Sequence, residues 1–155
     1  MKPWYEEPYA GESTDELLAL ADTFNEYSVL EVVVKGLYSK NQRSDFEERF
    51  LDISSTLEEF NLEVKNGGFG QFLLNSSGRL KDDVAGMLRE VGCLPLALIT
   101  EGALSSLPKD WQNKSIPQLN GYLDSFNTNY YKSGIYLDDV VLDYAKRNRE
   151  KIVLP

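Results

Sequence analysis

The sequence predicts an all-α fold, a compact single-domain helical bundle of about six to eight helices. Three observations carry this. Apolar residues recur at spacings of three and four through most of the chain, the period of a helix with one buried face. Capping-box patterns, Ser-x-x-Glu, open three of those stretches. The alternating runs and tight-turn dipeptides of a β protein are missing from it. At 155 residues the chain has the length of one domain, read here as a single helical domain over 1–155. A domain of that length buries about two-thirds of its unfolded surface.

The elements follow in order. Residues 1–12 set Pro3, Pro8 and Gly11 among Trp4, Tyr5 and Tyr9. Prolines this dense forbid a regular helix, and the aromatics argue for an extended arm packed on the body. Ser13 and Glu16 form the first capping box, and Leu17, Leu20, Ala21, Phe24 and Tyr27 follow at helical spacing. Continued straight, that helix would put Glu31 on its buried stripe. A second box, Ser28-x-x-Glu31, predicts instead that one helix ends near Asn25 to Tyr27 and another starts at Ser28 with Val29, Leu30, Val33, Val34 and Leu37 inward. The β-branched run Val32-Val33-Val34 leaves a strand as the alternative there. Residues 39–44 read as a loop. Ser44 and Glu47 make the third box, and Phe46, Phe50, Ile53, Leu57, Phe60 and Val64 follow, spaced 4, 3, 4, 3 and 4. That is the cleanest amphipathic stretch in the chain.

Residues 63–78 form a sharp corner. Asn66-Gly67-Gly68 stops the helix, since glycine takes the left-handed conformation that ends one. Phe69, Phe72 and Leu73 restart it at once, and Asn75-Ser76-Ser77-Gly78 stops it again and offers caps to the next helix. Glu63, Asn66, Gln71, Asn75 and Ser76 would line a polar pocket; on a structural reading Asn66 and Asn75 bond local backbone instead. The Walker spacing is absent, so the glycines are not a phosphate loop.

Leu80, Val84, Met87, Leu88 and Val91 mark the next helix, stopped by Gly92. Pro95 suits the first turn of another that runs to Ser106. A loop over 109–116 is pinned by Trp111 and Ile116. A single helix is expected over Pro117–Tyr131 with Leu119, Leu123 and Phe126 inward, its polar-aromatic end from Asn127 fraying before Ser133-Gly134. The last helix spans Leu137–Lys151. Its Asp138, Asp139 and Asp143 come early and its Lys146, Arg147, Arg149 and Lys151 late. That order matches the helix dipole, so the basic cluster is not read as a nucleic-acid site.

Composition narrows the chemistry. With no histidine, Ser-His and Cys-His nucleophile pairs and His-containing zinc sites are excluded, and carboxylate-only catalysis remains. The single Cys93, set between Gly92 and Leu94, reads as a buried small hydrophobe. No apolar run approaches membrane-spanning length, and the opening residues lack a basic-then-apolar leader pattern. A cytoplasmic protein is expected, or one exported without a cleaved signal. The formal charge is −9 and unevenly placed. Residues 1–63 carry 15 acidic and 5 basic side chains, residues 64–155 carry 10 and 11. Such a field repels nucleic acid and membrane surfaces and attracts basic partners.

Glu63, Asn66-Gly67-Gly68-Phe69, Gln71-Phe72 and Asn75-Ser76-Ser77-Gly78 resemble the signature of a bacterial domain family, the DNA-mimic-protein-nineteen-like family. Met87-Leu88-Arg89-Glu90-Val91-Gly92 resembles that family's helix ending in a hydrophobic-Gly pair. The resemblance covers roughly Phe46 to Pro108, with weaker agreement up to Lys151. It implies a helical fold and, from the family's DNA mimic, a dimer that binds a DNA-binding protein. Most members have no assigned role.

The functional expectation is a non-enzymatic acidic interaction protein with a basic protein partner, no cofactor and no metal. In its sharpest form it is a DNA mimic that inhibits a DNA-binding protein. Carboxylates four residues apart on a helix, such as Asp22 and Glu26, lie about 6 Å apart along its axis, the order of phosphate spacing on one strand. Glu6, Glu7, Glu12, Asp15, Asp22 and Glu26 are the expected partner-binding surface. Two other readings stand beside this one: an immunity protein that neutralises a toxin, and a small-molecule-binding or enzymatic domain using the Glu63–Asn75 corner.

Overall fold

A computed structural model describes residues 13–20, 26–76 and 79–155 of the chain. The fold is all-α, with eight helices and two 3-10 turns among the described residues. The helices are α1 (Thr14–Leu20), α2 (Glu26–Tyr38), α3 (Asp45–Asn75), α4 (Lys81–Glu90), α5 (Leu94–Ser105), α6 (Ile116–Tyr122), α7 (Asp124–Lys132) and α8 (Leu137–Arg147). The 3-10 turns are Trp111–Asn113 and Arg149–Lys151. The chain divides into two compact units, 1–54 with 138–155, and 55–137. The expected arm over 1–12 lies outside the described residues.

In the unit 1–54/138–155, α1 begins where the first capping box places it. The Ser13 N–H donates to Glu16 at 2.8 Å and the Glu16 N–H to Ser13 Oγ at 3.2 Å. α1 and α2 pack together, and Leu17, Val29, Val33, Leu37, Phe50, Val141 and Ala145 are fully or almost fully buried. The Tyr144 ring lies 5.8 Å from Phe46 and 6.5 Å from Phe50. α2 starts at Glu26, two residues before the expected Ser28 start, so the second Ser-x-x-Glu pattern falls inside a helix rather than at its opening. Val32-Val33-Val34 is helical; burial of its stripe outweighs the strand preference of three valines. The third box forms as read, with the Ser44 N–H on Glu47 Oε2 at 3.0 Å and the Glu47 N–H on Ser44 Oγ at 3.2 Å. α8 ends at Arg147, four residues short of expectation, and tightens into the 3-10 turn Arg149–Lys151.

In the unit 55–137, Leu57, Phe60, Val64, Phe69, Phe72, Leu73, Val84, Leu88, Leu96, Leu119 and Leu123 build the core. α5 packs on α4 and α7. α4 ends in a Schellman motif: the Gly92 N–H returns to Arg89 at 3.0 Å and the Cys93 N–H to Leu88 at 2.8 Å. Cys93 is buried there, and burial pushes its thiol pKa up. The N-cap position of α4 is Leu80, not one of the residues expected over 75–78, and it makes no side-chain cap. The helix expected over Pro117–Tyr131 is two. α6 opens on a capping box from Ser115 and Gln118, and the helix breaks at Leu123 (φ −109°, ψ 12°) before α7. Gly121 weakens the helix just ahead of that break. The stretch from Asn127 does not fray, because Asn127 and Tyr130 are buried.

Candidate functional site

α3 is bent where the sequence sets its glycines. Gly67 (φ −151°, ψ 20°) and Gly68 (φ 76°, ψ −179°) leave helical geometry, so a long limb over 45–66 meets a short limb over 69–75. Four side chains from α6 and α7 brace the bend. The Phe69 N–H donates to Asn127 Oδ1 at 2.8 Å, and the Gly70 N–H to Asn120 Oδ1 at 3.0 Å. These are backbone donors in the first turn of the short limb, which has no helical carbonyl to pair them. Two asparagines from 50 and 58 residues later therefore do the work of an N-cap. Asn120 Nδ2 in turn donates to the Gly67 carbonyl at 2.8 Å, and Asn127 Nδ2 to Asn120 Oδ1 at 3.0 Å. On the outgoing side, the Tyr131 hydroxyl donates to the Val64 carbonyl at 2.8 Å, and the Tyr130 hydroxyl to Asn61 at 2.6 Å.

The glycines follow from this brace. A Cβ on Gly68 would sit 2.6 Å from Asn120 Oδ1 and 2.8 Å from Asn127 Nδ2, on a backbone whose positive φ already disfavours side chains. A Cβ on Gly70 would meet Asn120 Oδ1 at 2.8 Å and the Ile116 carbonyl at 2.9 Å. Beneath the bend the rings of Phe60, Phe69, Phe72 and Tyr130 pack largely edge to face, with Phe60 5.0 Å from Phe72 and 5.7 Å from Tyr130. Burial first, with the neighbouring Cys93 and Tyr131 adding to it, raises the Tyr130 hydroxyl well above the ordinary tyrosine range.

The sequence-predicted corner residues take definite places around this bend. Glu63 Oε2 accepts from Gln71 Nε2 at 2.8 Å and Asn75 Nδ2 at 2.9 Å, so the carboxylate ties the long limb to the short one. Asn75 thus bonds a side chain rather than the expected local backbone. Gln71 lies against Gly67, where a Cβ would clash with it. Asn66 is exposed, Phe69 and Phe72 are buried, and the buried Ser76 hydroxyl donates to the Phe72 carbonyl at 2.6 Å. Gly78 lies outside the described residues. Chemically, the arrangement is a set of amide and hydroxyl donors and acceptors bonded to one another, with one carboxylate, Glu63, accepting from two carboxamides. Among the described residues no group of three or more His, Cys, Asp or Glu side chains is placed to hold a metal.

The expected acidic surface is seen only in part. Glu6, Glu7, Glu12 and Asp22 lie outside the described residues, and Glu26 is the first residue of α2. The 6 Å spacing expected of Asp22 and Glu26 therefore falls on residues the structure does not describe. Asp15 is exposed in the first turn of α1, 3.6 Å from Arg149.

Sequence reading missed Asn120 and Asn127. Leu119, Leu123, Asn127 and Tyr130 are spaced 4, 4 and 3 and all four are buried. A polar residue on an apolar stripe was the available signal. A second missed group is the ion pair at Glu47, a residue read as an ordinary cap. Its side chain is 2% exposed, 2.7 Å from Lys40 Nζ.

These features define an all-α protein built on a bent long helix whose bend is braced by carboxamides. The chain belongs to the family described as DMP19-like protein, whose sequence model matches residues 44–149. The match opens at the cap residue Ser44 and takes in the bend, Asn120 and Asn127. Residues 1–43, with Glu6, Glu7, Glu12, Asp15, Asp22 and Glu26, lie outside it. Comparison with curated proteins and with solved structures gives no match.

Proposed function

We propose that this protein is a non-enzymatic interaction protein that binds a basic protein through the acidic unit 1–54/138–155, in the manner of a DNA mimic. The observation that carries the reading is the division of charge. That unit holds 16 acidic and 9 basic side chains, a balance of −7, while 55–137 holds 9 and 7, a balance of −2. Asp15, Glu16, Asp45, Glu48, Asp52 and Asp143 are exposed there. Negative charge fixed on helices speeds encounter with a basic surface and repels nucleic acid itself. Membership of the DMP19-like family is consistent with such a role. Among the described residues no helix is long and apolar enough to cross a membrane.

The test is capture from host lysate at low salt with a salt-step elution, in parallel with a variant carrying Asp15→Asn, Asp22→Asn and Glu26→Gln. A basic DNA-binding protein should be retained stoichiometrically, released by salt and by added duplex DNA, and lost by the variant at unchanged helical circular dichroism. A partner that binds the folded variant as well as the parent would remove those three acids from the surface. A partner indifferent to salt and to DNA would end the mimic reading.

A further inference from the structure

Glu47 is a buried carboxylate that the proposed interaction surface does not use. Its Oε1 accepts the Val153 N–H at 2.9 Å and Lys40 Nζ at 2.8 Å, and its Oε2 accepts Lys40 Nζ at 2.7 Å and the Ser44 N–H at 3.0 Å. Lys40 Nζ reaches on to the Val153 carbonyl at 2.6 Å. The pair thus holds both backbone polar groups of one residue, as a neighbouring strand would. One residue earlier, the Thr14 hydroxyl donates to the Ile152 carbonyl at 2.6 Å. The segment so held is extended at Ile152 (φ −110°, ψ 109°). It buries the Ile152 side chain to 2% exposure while leaving Val153 62% exposed. Its Ile152 N–H closes the 3-10 turn on the Arg149 carbonyl at 3.2 Å; beyond that turn, three polar contacts and the Ile152 peg fasten it to the rest of the unit, with Leu154 half-buried.

We propose that residues 152–154 are a latch that opens as a unit, leaving the helices in place, when the ionic hold of Lys40 and Glu47 on the Val153 backbone is lost. The physical case is the mismatch between its fastenings. A helix of this unit is secured by a ladder of its own hydrogen bonds, so losing one bond leaves the rest. The strap has no ladder, and two of its three polar contacts run through one ion pair. Its closed form makes one wall of an open cleft of about 320 Å³ whose other wall is Ser13, Thr14 and Asp15, with Arg149 and Glu150 at the turn. Opening removes that wall and bares the Ile152 slot. The charged groups around the latch are Lys40 itself, Arg43 paired with Glu48 at 2.9 Å, Lys151 over the Phe46 ring at 5.3 Å, and Arg149 with Asp15 at 3.6 Å. Among these, only Lys40 donates to Glu47.

The test uses the full chain with isotope-labelled isoleucine methyls, so that Ile152 reports the strap and Ile53, fully buried on α3, reports the helices. Two variants are compared with the parent at neutral pH. Glu47→Gln removes the charge, and Val153→Pro removes the N–H that Glu47 accepts, after an Ile152 whose extended backbone is close to what a following proline requires. In both, the Ile152 methyl should move to its solvent-exposed position, with at least a tenfold faster exchange of the Ile152 amide, while Ile53 is unmoved. If Glu47→Gln fails to fold, Val153→Pro decides alone. An Ile152 that stays in place, or an Ile152 and Ile53 that move together, would overturn the latch.

Discussion

Each of the two units is fastened by one buried polar brace, and the braces differ in kind. In 1–54/138–155 the brace is ionic: Glu47 and Lys40 gripping the Val153 backbone. In 55–137 it is neutral: Asn120 and Asn127 on the backbone of the bend, with the Tyr130 and Tyr131 hydroxyls beside them. Both join α3 to chain made much later. A charge pair out of water holds firmly only while both partners are present, because either one alone is a buried, uncompensated charge. Carboxamides lose less when cut and never ionise, but their planar donor–acceptor geometry fixes a bend closely. The ionic brace suits a fastening that opens, and the neutral one suits a shape that must not change.

The largest effect should come from halving the ionic brace. Lys40→Met strands Glu47 and should cost about 3 kcal/mol in denaturant unfolding; Lys40→Met/Glu47→Leu removes the stranded charge but leaves the Val153 and Ser44 backbone groups without these partners, so it should recover only part of the loss. A single-variant loss no greater than that of an exposed lysine would erase the contrast between the braces. Cutting the neutral brace should cost less. Asn127→Ala leaves the buried Phe69 N–H unpaired, worth about 2 kcal/mol. Gly68→Ala should cost a similar amount, from a positive φ and from displacing the same asparagine. Since both act on one network, the double variant should lose less than the two single losses combined.

Acid and alkali should separate the units by degrees. Burial alone would raise the Glu47 pKa, but bonds from Lys40, Val153 and Ser44 and the Lys40 charge outweigh it, so the carboxyl sits below its ordinary value. Its contribution is therefore complete above the ordinary carboxylate range and is lost as pH falls through the lowered folded value. Tyr130 runs the other way. With its hydroxyl raised chiefly by burial, its contribution is complete below the ordinary tyrosine range and is lost as pH rises beyond it. Ile152 and Phe69 amide signals followed across pH should fail first at the acid and the alkaline edge respectively; loss of both at the same edge would break the contrast. The smallest effect belongs to Tyr131→Phe, which removes one hydroxyl from a half-exposed ring and should change unfolding by less than about 1 kcal/mol.

What the sequence made legible was local. The Ser13–Glu16 and Ser44–Glu47 boxes and the Gly92 stop each involve residues within a few positions, and each forms as read. Local patterns also misled. Ser28-x-x-Glu31 matched a cap and lies inside a helix, since α2 is already wound at Glu26. The bend itself could be read from Gly67-Gly68; of its brace only Asn127 left a trace, as a polar residue on the apolar stripe of Leu119, Leu123 and Tyr130, while Asn120 lies off that stripe and its bond to the Gly70 N–H spans 50 residues. The Glu47 brace was hidden by distance as well, its backbone partner lying 106 residues away.

The bend carries a consequence for synthesis. The short limb of α3 begins with amides whose acceptors, Asn120 and Asn127, follow 50 and 58 residues later. At about 5–20 residues per second on a ribosome, roughly 3–12 s pass between the making of Phe69 and that of Asn127. Throughout that interval the long limb already holds its own N-terminal box at Ser44 and Glu47, while the aromatic turn after the glycines lacks its cap. Nascent α3 therefore grows in two instalments, and the second is sealed only when the asparagines of α6 and α7 leave the exit tunnel.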